Sequence, residues 1–586
     1  MGRMGENALG VMLVLLAAGR AGAVDIDLHD PAQFHLVESY IYGATTAEGL
    51  GSIIKAADVD QDGFDDVIAS APVSVGVSGR VEAGMVTILF GSASGFGPEV
   101  DLADVTSATY PRVLRIEGEE PEGWFGCGLA VGDLDADGRP DLVIGAPLVD
   151  EGGLTNGGGI YVFFGGGAIA SATRGLLSAR DAELIISGGG EMDGVGLSVF
   201  CGDVNADGID DLLTLAPLGN RFTNRDLTRR AYLVYGRPGL RTAGKLEFAR
   251  NQWDLLWRDV PGLGYATTNG EGAVFGDVDG DGASDLVLGV PRADARGDNS
   301  GMVVVYRGRP RASGTEMYAT RPVNTADPTT PDLLILPRNS DDHLGFAVEM
   351  GNVVGDARPD LIVAAPFGDG SKTRSGVVYC LAGPIEAGTT IDLSRRPLPA
   401  GSVEIWGHNT YEETGDSLQV ASLLPAATRP ERLDLVIGAP RGLQRNDKNF
   451  AGRVYVLRTA GDLPARVDLS QENQVDLRVF APERQDELGG SLAAGRIGSS
   501  SGVVSEVIFA ASWLGDGLRG VKKNAGEITV IRYLPGAPPK PRLDYLDLLR
   551  FSRSWNPEAE AAPGSAATSG EDGREGLLRL ILGWHR

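Results

Sequence analysis

The feature that most limits what this chain can fold into is one short phrase that occurs seven times. Each copy opens with an acidic residue and continues through mostly apolar residues, and six copies close on proline, as in Asp141-Leu-Val-Ile-Gly-Ala-Pro147. The copies open at Asp66, Asp141, Asp211, Asp285, Asp360, Asp434 and Glu506, which lie 70 to 75 residues apart. A near-constant period over seven copies is typical of a repeat architecture.

A second apolar segment follows each copy, and its composition indicates strands. Examples are Gly84 to Gly91 and Gly301 to Tyr306, which are rich in β-branched and aromatic residues. Segments that are apolar on both faces are expected where a sheet is sandwiched between two others. Seven such sheets bury both faces when they stand around an axis, so we predict an all-β fold, a seven-bladed β-propeller. The alternative is an open row of separate domains, which would need polar end caps.

The repeat resembles the FG-GAP repeat of the integrin α-subunit propellers. The family name is almost spelled out by Phe125-Gly126 together with Gly145-Ala146-Pro147. The resemblance extends over residues 24–533 and implies seven blades. It also implies that an N-terminal strand near Phe34 to Tyr42 closes the ring against the last blade.

Four copies are preceded by an acidic loop with the pattern D-x-[DN]-x-D-G-x-x-D. Calcium takes six to eight oxygen ligands, and side chains at positions 1, 3 and 5 of a curled loop can point at one centre. Glycine at position 6 permits the sharp turn, and position 7 offers its backbone carbonyl. The candidate ligands at positions 1, 3, 5, 7 and 9 are Asp58, Asp60, Asp62, Phe64 and Asp66; Asp133, Asp135, Asp137, Arg139 and Asp141; Asp203, Asn205, Asp207, Ile209 and Asp211; and Asp277, Asp279, Asp281, Ala283 and Asp285.

The resemblance implies one calcium ion in each complete loop, so three or four Ca²⁺ ions are expected. The third loop has Asn205 in place of an aspartate, and we expect weaker binding there because it carries fewer charges. The fifth loop has Val354 at position 3 and Ala357 at position 6, so it is expected to hold no ion. The sixth and seventh loops lack the pattern. The alternative for every loop is an ordinary solvated acidic turn.

The overall charge excludes one class of partner. The formal net charge is -27, and nucleic acid is a poor partner for such a surface because phosphate binding needs clustered Lys and Arg. The acidic excess is compatible both with cation sites and with a solvated surface that aids solubility. The three cysteines, Cys127, Cys201 and Cys380, lack metal-binding spacing, and we expect most of them to be buried in strands.

Both ends of the chain carry segments outside the repeats. Residues 1–23 combine a basic residue, a short apolar run and Ala21-Gly22-Ala23, which predicts a signal peptide and a secreted or cell-surface protein without a transmembrane span. The alternative is an uncleaved anchor. Residues 534–545 are predicted to be a Pro-rich linker, and residues 546–586 a small helical tail. The tail distantly resembles dockerin modules, and in that case it would anchor the propeller to a cell-surface partner. The alternative is that the tail consists of two amphipathic helices that pack on each other.

Two classes of function remain after the search for motifs. The five histidines show no metal-ligand spacing, and no phosphate-binding loop is present. We therefore expect an adhesion or interaction module for an extracellular protein or glycan ligand, and not an enzyme. The alternative is the propeller scaffold of a secreted hydrolase or lyase, because the glycosylphosphatidylinositol phospholipase D family also carries FG-GAP repeats. In that family a zinc domain precedes the propeller, whereas only Val24 to about Gly43 precedes the first repeat here.

Overall fold

Strands make up nearly all of the regular structure in this protein. A computed structural model describes residues 24–28, 37–104, 112–172, 175–216, 230–258, 272–308, 331–386, 388–423, 431–442, 451–459, 461–482, 485–499, 504–516 and 522–532. The strands form seven separate sheets, which are the blades of one propeller. The prediction of an all-β, seven-bladed β-propeller is therefore confirmed.

Each blade has four antiparallel strands, numbered here from the inner strand outward, and these follow one another along the chain in every blade except blade 7. Most blades also have a short fifth strand at the outer edge. Blade 1 consists of Ile54–Ala57, Asp66–Ala71, Met85–Leu89, Val113–Glu117 and Gly175–Ser178. Blade 2 consists of Gly128–Gly132, Asp141–Ala146, Gly159–Phe163, Leu184–Ser187 and Lys245–Glu247. Blade 3 consists, in the described residues, of Ser198–Gly202, Asp211–Ala216, Arg230–Val234 and Leu255–Arg258.

The other four blades repeat this order. Blade 4 consists of Ala273–Gly276, Asp285–Gly289, Val303–Tyr306, Leu333–Leu336 and Thr390–Asp392. Blade 5 consists of Val348–Gly351, Asp360–Ala365, Val377–Leu381, Val403–Trp406 and Arg466–Asp468. Blade 6 consists of Leu418–Ala421, Asp434–Ala439, Arg453–Leu457, Leu477–Phe480 and Val24–Asp27. Blade 7 consists of Ser491–Ile497, Ser505–Ser512, Glu527–Ile531, Ser39–Tyr42 and Glu99–Asp101.

Helical structure in the described residues is confined to single turns in the connections between strands. These turns are the α-helical turn Ala168–Ser171 and the 3₁₀ turns Leu102–Asp104, Glu151–Gly153, Ala179–Asp181, Leu240–Ala243, Phe248–Arg250 and Glu472–Gln474. No helix in this part of the chain is long and apolar enough to cross a membrane.

Where the described residues include a fifth strand, it is supplied by the following blade. Gly175–Ser178, for example, lies between strands 3 and 4 of blade 2 but pairs in parallel with Val113–Glu117 of blade 1. The same exchange links the other blades that have a described fifth strand. Neighbouring blades are therefore joined by backbone hydrogen bonds as well as by side-chain packing, which the sequence did not predict.

The N-terminal segment closes the ring. Ser39–Tyr42 is strand 4 of blade 7 and pairs antiparallel with Glu527–Ile531, close to the C-terminal end of the propeller. This pairing confirms the predicted closing strand, although residues 29–36, at the start of the predicted segment, lie outside the described residues. Because a strand from one end of the chain completes a sheet from the other end, the ring has no open edge at this blade.

A second closing contact was not predicted. Val24–Asp27 pairs in parallel with Leu477–Phe480 and becomes the fifth strand of blade 6. The guanidinium of Arg478 binds both carboxylate oxygens of Asp25, with N to O distances of 2.8 and 3.2 Å. The first described residues of the chain thus complete one blade, and the next strand completes another.

The hydrophobic core is divided among the interfaces between blades. The described part of the chain contains seven buried clusters, and each joins residues of two neighbouring blades. Between blades 1 and 2, for example, the rings of Phe125 and Tyr161 pack edge to face with their centroids 5.5 Å apart. Because every sheet is buried on both faces, its strands carry apolar side chains on both faces.

The glycine of the Gly-Ala-Pro phrase is required by contact with the next blade. A Cβ atom on Gly145 of blade 2 would lie 1.9 Å from the carbonyl oxygen of Gly196, which precedes strand 1 of blade 3. The same close approach joins Gly438 to the carbonyl of Gly489, at 2.1 Å. A side chain at these positions would separate the blades, so glycine permits the backbones to touch.

Several predictions made from the sequence concern residues that the structure describes only in part. The three cysteines are free. Cys380 is buried in strand 3 of blade 5, as expected, whereas Cys127 is buried just before strand 1 of blade 2 and Cys201 is half-buried in strand 1 of blade 3. The predicted signal peptide at 1–23, the linker at 534–545 and the helical tail at 546–586 all lie outside the described residues and stay predictions.

Candidate metal centre

The four predicted calcium loops occupy the same place in blades 1 to 4. Each loop joins the inner strand of its blade to strand 2, whose first residue is the aspartate at loop position 9. Because successive strands are antiparallel, all connections between strands 1 and 2 lie on one face of the propeller, which we call the acidic face. The connections between strands 2 and 3 lie on the opposite face.

The first loop shows how the chain curls around its own carboxylates. Asp58 accepts hydrogen bonds from the amides of Asp62 and Gly63 at 3.0 and 2.9 Å, and Asp62 accepts one from Phe64 at 3.0 Å. These bonds turn positions 1 and 5 toward the same side of the loop. Gly63 at position 6 has a φ of 93°, and a Cβ there would meet no atom within 4 Å, so backbone conformation alone requires glycine.

The other three loops repeat this hydrogen-bonding pattern. In each, the aspartate at position 1 accepts from the amides at positions 5 and 6, at distances of 2.8 to 3.2 Å. The amide at position 7 donates to the aspartate at position 5. The equivalent residues are Asp133, Asp137, Gly138 and Arg139; Asp203, Asp207, Gly208 and Ile209; and Asp277, Asp281, Gly282 and Ala283.

The aspartate at position 9 has a structural task in addition to its predicted role as a ligand. Asp66 is fully buried and accepts from the amides of Val59 at 2.9 Å and Gly91 at 2.7 Å, so it ties the loop to the end of strand 3. Asp141, Asp211 and Asp285 make the same two bonds. Asp360 also does so in the fifth loop, which lacks the metal pattern. These two hydrogen bonds therefore form whether or not the loop has the metal pattern.

Three of the four loops bring carboxylate oxygens to a common point. In each of these clusters three acidic residues offer oxygens that lie within 4.8 Å of one another. The clusters are Asp58, Asp60 and Asp62; Asp133, Asp135 and Asp141; and Asp277, Asp279 and Asp285. No such acidic cluster is found in the third loop within the described residues, where Asn205 supplies an amide oxygen instead and accepts from the amide of Asp207 at 2.9 Å.

The chemistry of these clusters fits a hard divalent cation. Oδ1 of Asp135 is buried and has no well-formed hydrogen-bond partner among the described residues. Burial of an ionised oxygen without a donor is costly, and a bound cation would offset that cost. The residues at position 7, Phe64, Arg139, Ile209 and Ala283, have no oxygen in their side chains, so only their backbone carbonyls could serve as ligands.

Burial, and to a smaller extent the neighbouring carboxylates, raise the pKa values of several loop aspartates. Partial burial, together with repulsion from Asp60 and Asp58, raises the pKa of Asp62. Burial, with repulsion from the same two residues, raises the pKa of Asp66 to about 8. Burial likewise raises the pKa of Asp141 to about 7. A divalent cation at the cluster would favour the ionised forms.

Sequence reasoning missed three arginines that lie beside the clusters: Arg112, Arg241 and Arg307 form ion pairs with loop carboxylates in blades 1, 2 and 4. They occupy three different positions of the repeat, so no recurring phrase could have indicated them.

A match to a family model agrees with this geometry. The model described as "FG-GAP repeat" matches residues 50–89, 125–163 and 269–306. These segments include the acidic loops of blades 1, 2 and 4, which are the loops with carboxylate clusters.

Relatives come from two groups of proteins. Phosphatidylinositol-glycan-specific phospholipase D from Homo sapiens is 27% identical over 474 residues, which is 78% of this chain and 52% of that protein. The enzyme of the same name from Rattus norvegicus is 34% identical over 170 residues, 29% of this chain and 18% of that protein. Integrin alpha-IIb from Homo sapiens is 27% identical over 302 residues, 50% of this chain and 26% of that protein. The chain thus spans about half or less of the length of these relatives.

These matches correct one prediction. The expectation that this chain is not an enzyme is contradicted, because a phospholipase resembles it over 78% of its length. The reasoning failed since repeats of this kind occur both in integrin α subunits and in a phospholipase. A lack of catalytic motifs among the repeats therefore does not separate the two classes.

Proposed function

Since the chain carries FG-GAP repeats and is homologous to the integrin α subunits and to phosphatidylinositol-glycan-specific phospholipase D, we propose that it is an extracellular, calcium-binding propeller that recognises a protein or glycan ligand. The observation that carries calcium binding is the convergence of three carboxylate oxygens in the same loop of three blades. An extracellular location is supported by the predicted signal peptide, and extracellular calcium-binding modules have Kd values of about 10⁻⁴ to 10⁻³ M.

The ligand surface is proposed to lie opposite the acidic face. Exposed apolar side chains concentrate in the connection between strands 2 and 3 of blade 1, where Val73, Val75, Val77 and Val81 are 41 to 57% exposed. Trp513, in the equivalent connection of blade 7, is 37% exposed. We call these five residues the apolar patch. Apolar side chains exposed together on one face are typical of interaction sites.

A polar cavity of about 400 Å³ lies beside this patch. It is formed by connections of blades 6 and 7 on the same face, and its lining includes Arg441, Glu487, Asp516 and Asn524. Glu487 also accepts a hydrogen bond from the indole nitrogen of Trp513 at 3.0 Å. An apolar surface next to convergent polar groups suits a ligand with both kinds of group, as proteins and glycans have.

Calcium binding is tested by counting ions on the full chain. We expect three or four bound Ca²⁺ ions at equilibrium, and one fewer in each of the variants Asp60→Ala, Asp135→Ala and Asp279→Ala, because each removes the oxygen ligand at position 3. Chelation should lower the melting temperature, since each site occupied at a hundredfold excess over its Kd adds about 2.7 kcal/mol to the free energy of unfolding. Zero bound ions, or an unchanged melting temperature in chelator, would contradict the proposal.

The ligand surface is tested by charge insertion. The triple variant Val75→Asp/Val77→Asp/Val81→Asp should lose at least tenfold in affinity for any ligand identified on arrays of glycans and extracellular proteins, since charge in an apolar interface is costly. Val504→Asp is the matched control, because Val504 is 39% exposed but precedes strand 2 of blade 7 on the acidic face. Equal binding by the triple variant and the control would reject the apolar patch as the site.

A second candidate function is favoured by the similarity to a phospholipase over 78% of the chain. In this case the propeller would be part of a hydrolase acting on phosphatidylinositol-glycan anchors. Release of an anchored reporter protein from vesicles by the purified chain measures this activity directly and distinguishes it from ligand binding alone.

A further inference from the structure

The carboxylates of the calcium loops already have a positively charged partner in this protein. Nη2 of Arg112 lies 2.5 Å from Oδ2 of Asp60 in the first loop. In the second loop Arg241 pairs with Asp135 through Nε and with Asp137 through Nη2, both at 2.9 Å. Each of these arginines therefore binds the carboxylate at position 3, and Arg241 also binds position 5.

The fourth loop shows the same arrangement. Arg307 pairs with Asp279 at position 3, and its Nη2 lies 2.9 Å from Oδ2 of Asp281 at position 5. The three loops with a paired arginine are the three that have a carboxylate cluster. In the third loop, which has Asn205 at position 3, the described residues provide no ion pair to Asp203 or Asp207.

The three guanidinium groups reach the loops from different parts of the fold. Arg112 immediately precedes strand 4 of blade 1, and its guanidinium carbon lies 3.5 Å from the ring centre of Phe90. Arg241 belongs to the connection between strands 3 and 4 of blade 3, and it lies over Phe164 of blade 2 at 5.1 Å. Arg307 directly follows strand 3 of blade 4. The same contact is thus built three times by different means.

A buried arginine contacts the fifth loop, which lacks the metal pattern. The side chain of Arg432, from blade 6, is 1% exposed. Its guanidinium donates to the carbonyl of Val353 at 3.0 Å and to the carbonyl of Gly355, which are positions 2 and 4 of the fifth loop. A buried guanidinium group needs hydrogen-bond acceptors. Here the acceptors are backbone carbonyls of a loop that is predicted to hold no metal ion.

We propose that arginine is a built-in counter-cation of these loops. Arg112, Arg241 and Arg307 compete with calcium for the carboxylates at positions 3 and 5, which lowers calcium affinity and keeps the loops folded when calcium is scarce. Arg432 supplies a permanent positive charge beside the fifth loop. The competition rests on the proposed function, since it requires that the loops bind calcium, whereas the stabilising role does not.

The test compares two variants of the full chain that lose the same charge. Arg307→Gln should tighten calcium binding at one site by about three- to tenfold in a calorimetric titration with calcium chloride, because a positive charge near a divalent ion is removed. It should also lower the melting temperature in chelator. Arg395→Gln is the control, since Arg395 is 84% exposed in its ion pair with Asp392, away from the loops, and should change neither quantity.

Weaker or unchanged calcium binding by Arg307→Gln would overturn the competition. If the parent chain binds no calcium, the proposed function fails, and the melting temperatures in chelator then decide the stabilising role by themselves. An equal melting temperature for the Arg307→Gln and Arg395→Gln variants would overturn that role.

Arg432 is tested separately. Arg432→Met should lower the melting temperature by the same amount in calcium and in chelator, because this loop takes no ion. A loss that calcium restores would show that the fifth loop binds metal once the arginine is removed, and would overturn the assignment of a permanent counter-cation.

Discussion

Replacing Gly145 by alanine is expected to destabilise the propeller by about 3 kcal/mol, because the new methyl group would be forced into the neighbouring blade. Its Cβ would lie 1.9 Å from the carbonyl oxygen of Gly196 and 2.7 Å from the carbonyl carbon. Both atoms are backbone, so no side-chain rotation relieves the clash, and blades 2 and 3 must separate. Urea denaturation of the full chain at a fixed calcium concentration measures the loss.

Gly461→Ala is the matched control for this prediction. Nothing lies within 4 Å of a Cβ at Gly461, and its φ is outside the left-handed region. The same substitution should therefore be neutral or slightly stabilising, since alanine restricts the unfolded chain. Similar denaturation midpoints for the Gly145→Ala and Gly461→Ala variants would mean that the glycine of the Gly-Ala-Pro phrase does not set the distance between blades.

The second large effect is expected from Arg453→Met, which should cost about 3 to 5 kcal/mol of stability by leaving a buried carboxylate without its counter-charge. Glu412 is fully buried in the connection between blades 5 and 6. Its Oε1 accepts from Arg453 at 3.1 Å and from Tyr455 at 2.6 Å, and its Oε2 accepts from two backbone amides, those of His408 and Asn409. Methionine fills similar volume but supplies no charge.

Two further variants define the origin of that loss. The double variant Arg453→Met/Glu412→Gln should recover part of the stability, because it removes the uncompensated charge. Arg250→Met is the exposed control: Arg250 is 75% exposed in its pair with Glu247, and surface pairs contribute roughly 0 to 1 kcal/mol. If the exposed and the buried variants lose equal stability under the same urea denaturation, the buried network is not what holds this interface together.

The stability of the interfaces between blades bears on the proposed ligand surface. Val73 and Trp513 belong to connections of blades 1 and 7, and Gly49 lies between them: its Cβ would be 3.7 Å from a methyl of Val73 and 4.0 Å from the carbonyl oxygen of Trp513. The apolar patch thus spans the blade interface where the N-terminal strand Ser39–Tyr42 closes the ring. Its geometry depends on ring closure.

Much of the candidate site was predictable because its residues lie close together in the sequence. The carboxylates of Asp58, Asp60 and Asp62 are within five residues of one another, so their convergence needs only one curled loop. The arginines were not predictable for the opposite reason. Arg241 contacts Asp137 across 104 residues of sequence, and nothing in the local pattern around either residue refers to the other.

By itself the sequence determined the number of blades, the strands that recur in every blade and the loops that can hold a cation, because each of these follows from a short pattern repeated at a fixed period. The resemblance also predicted the closing strand near Phe34 to Tyr42, but the tertiary structure alone decided which residues are in contact where the blades are joined. The ion pair between Asp25 and Arg478 joins residues 453 apart, and the contact between Gly145 and Gly196 exists only where two blades meet. Ring closure brings segments together that are distant in the sequence. A repeating sequence pattern does not specify which of these distant residues will be in contact.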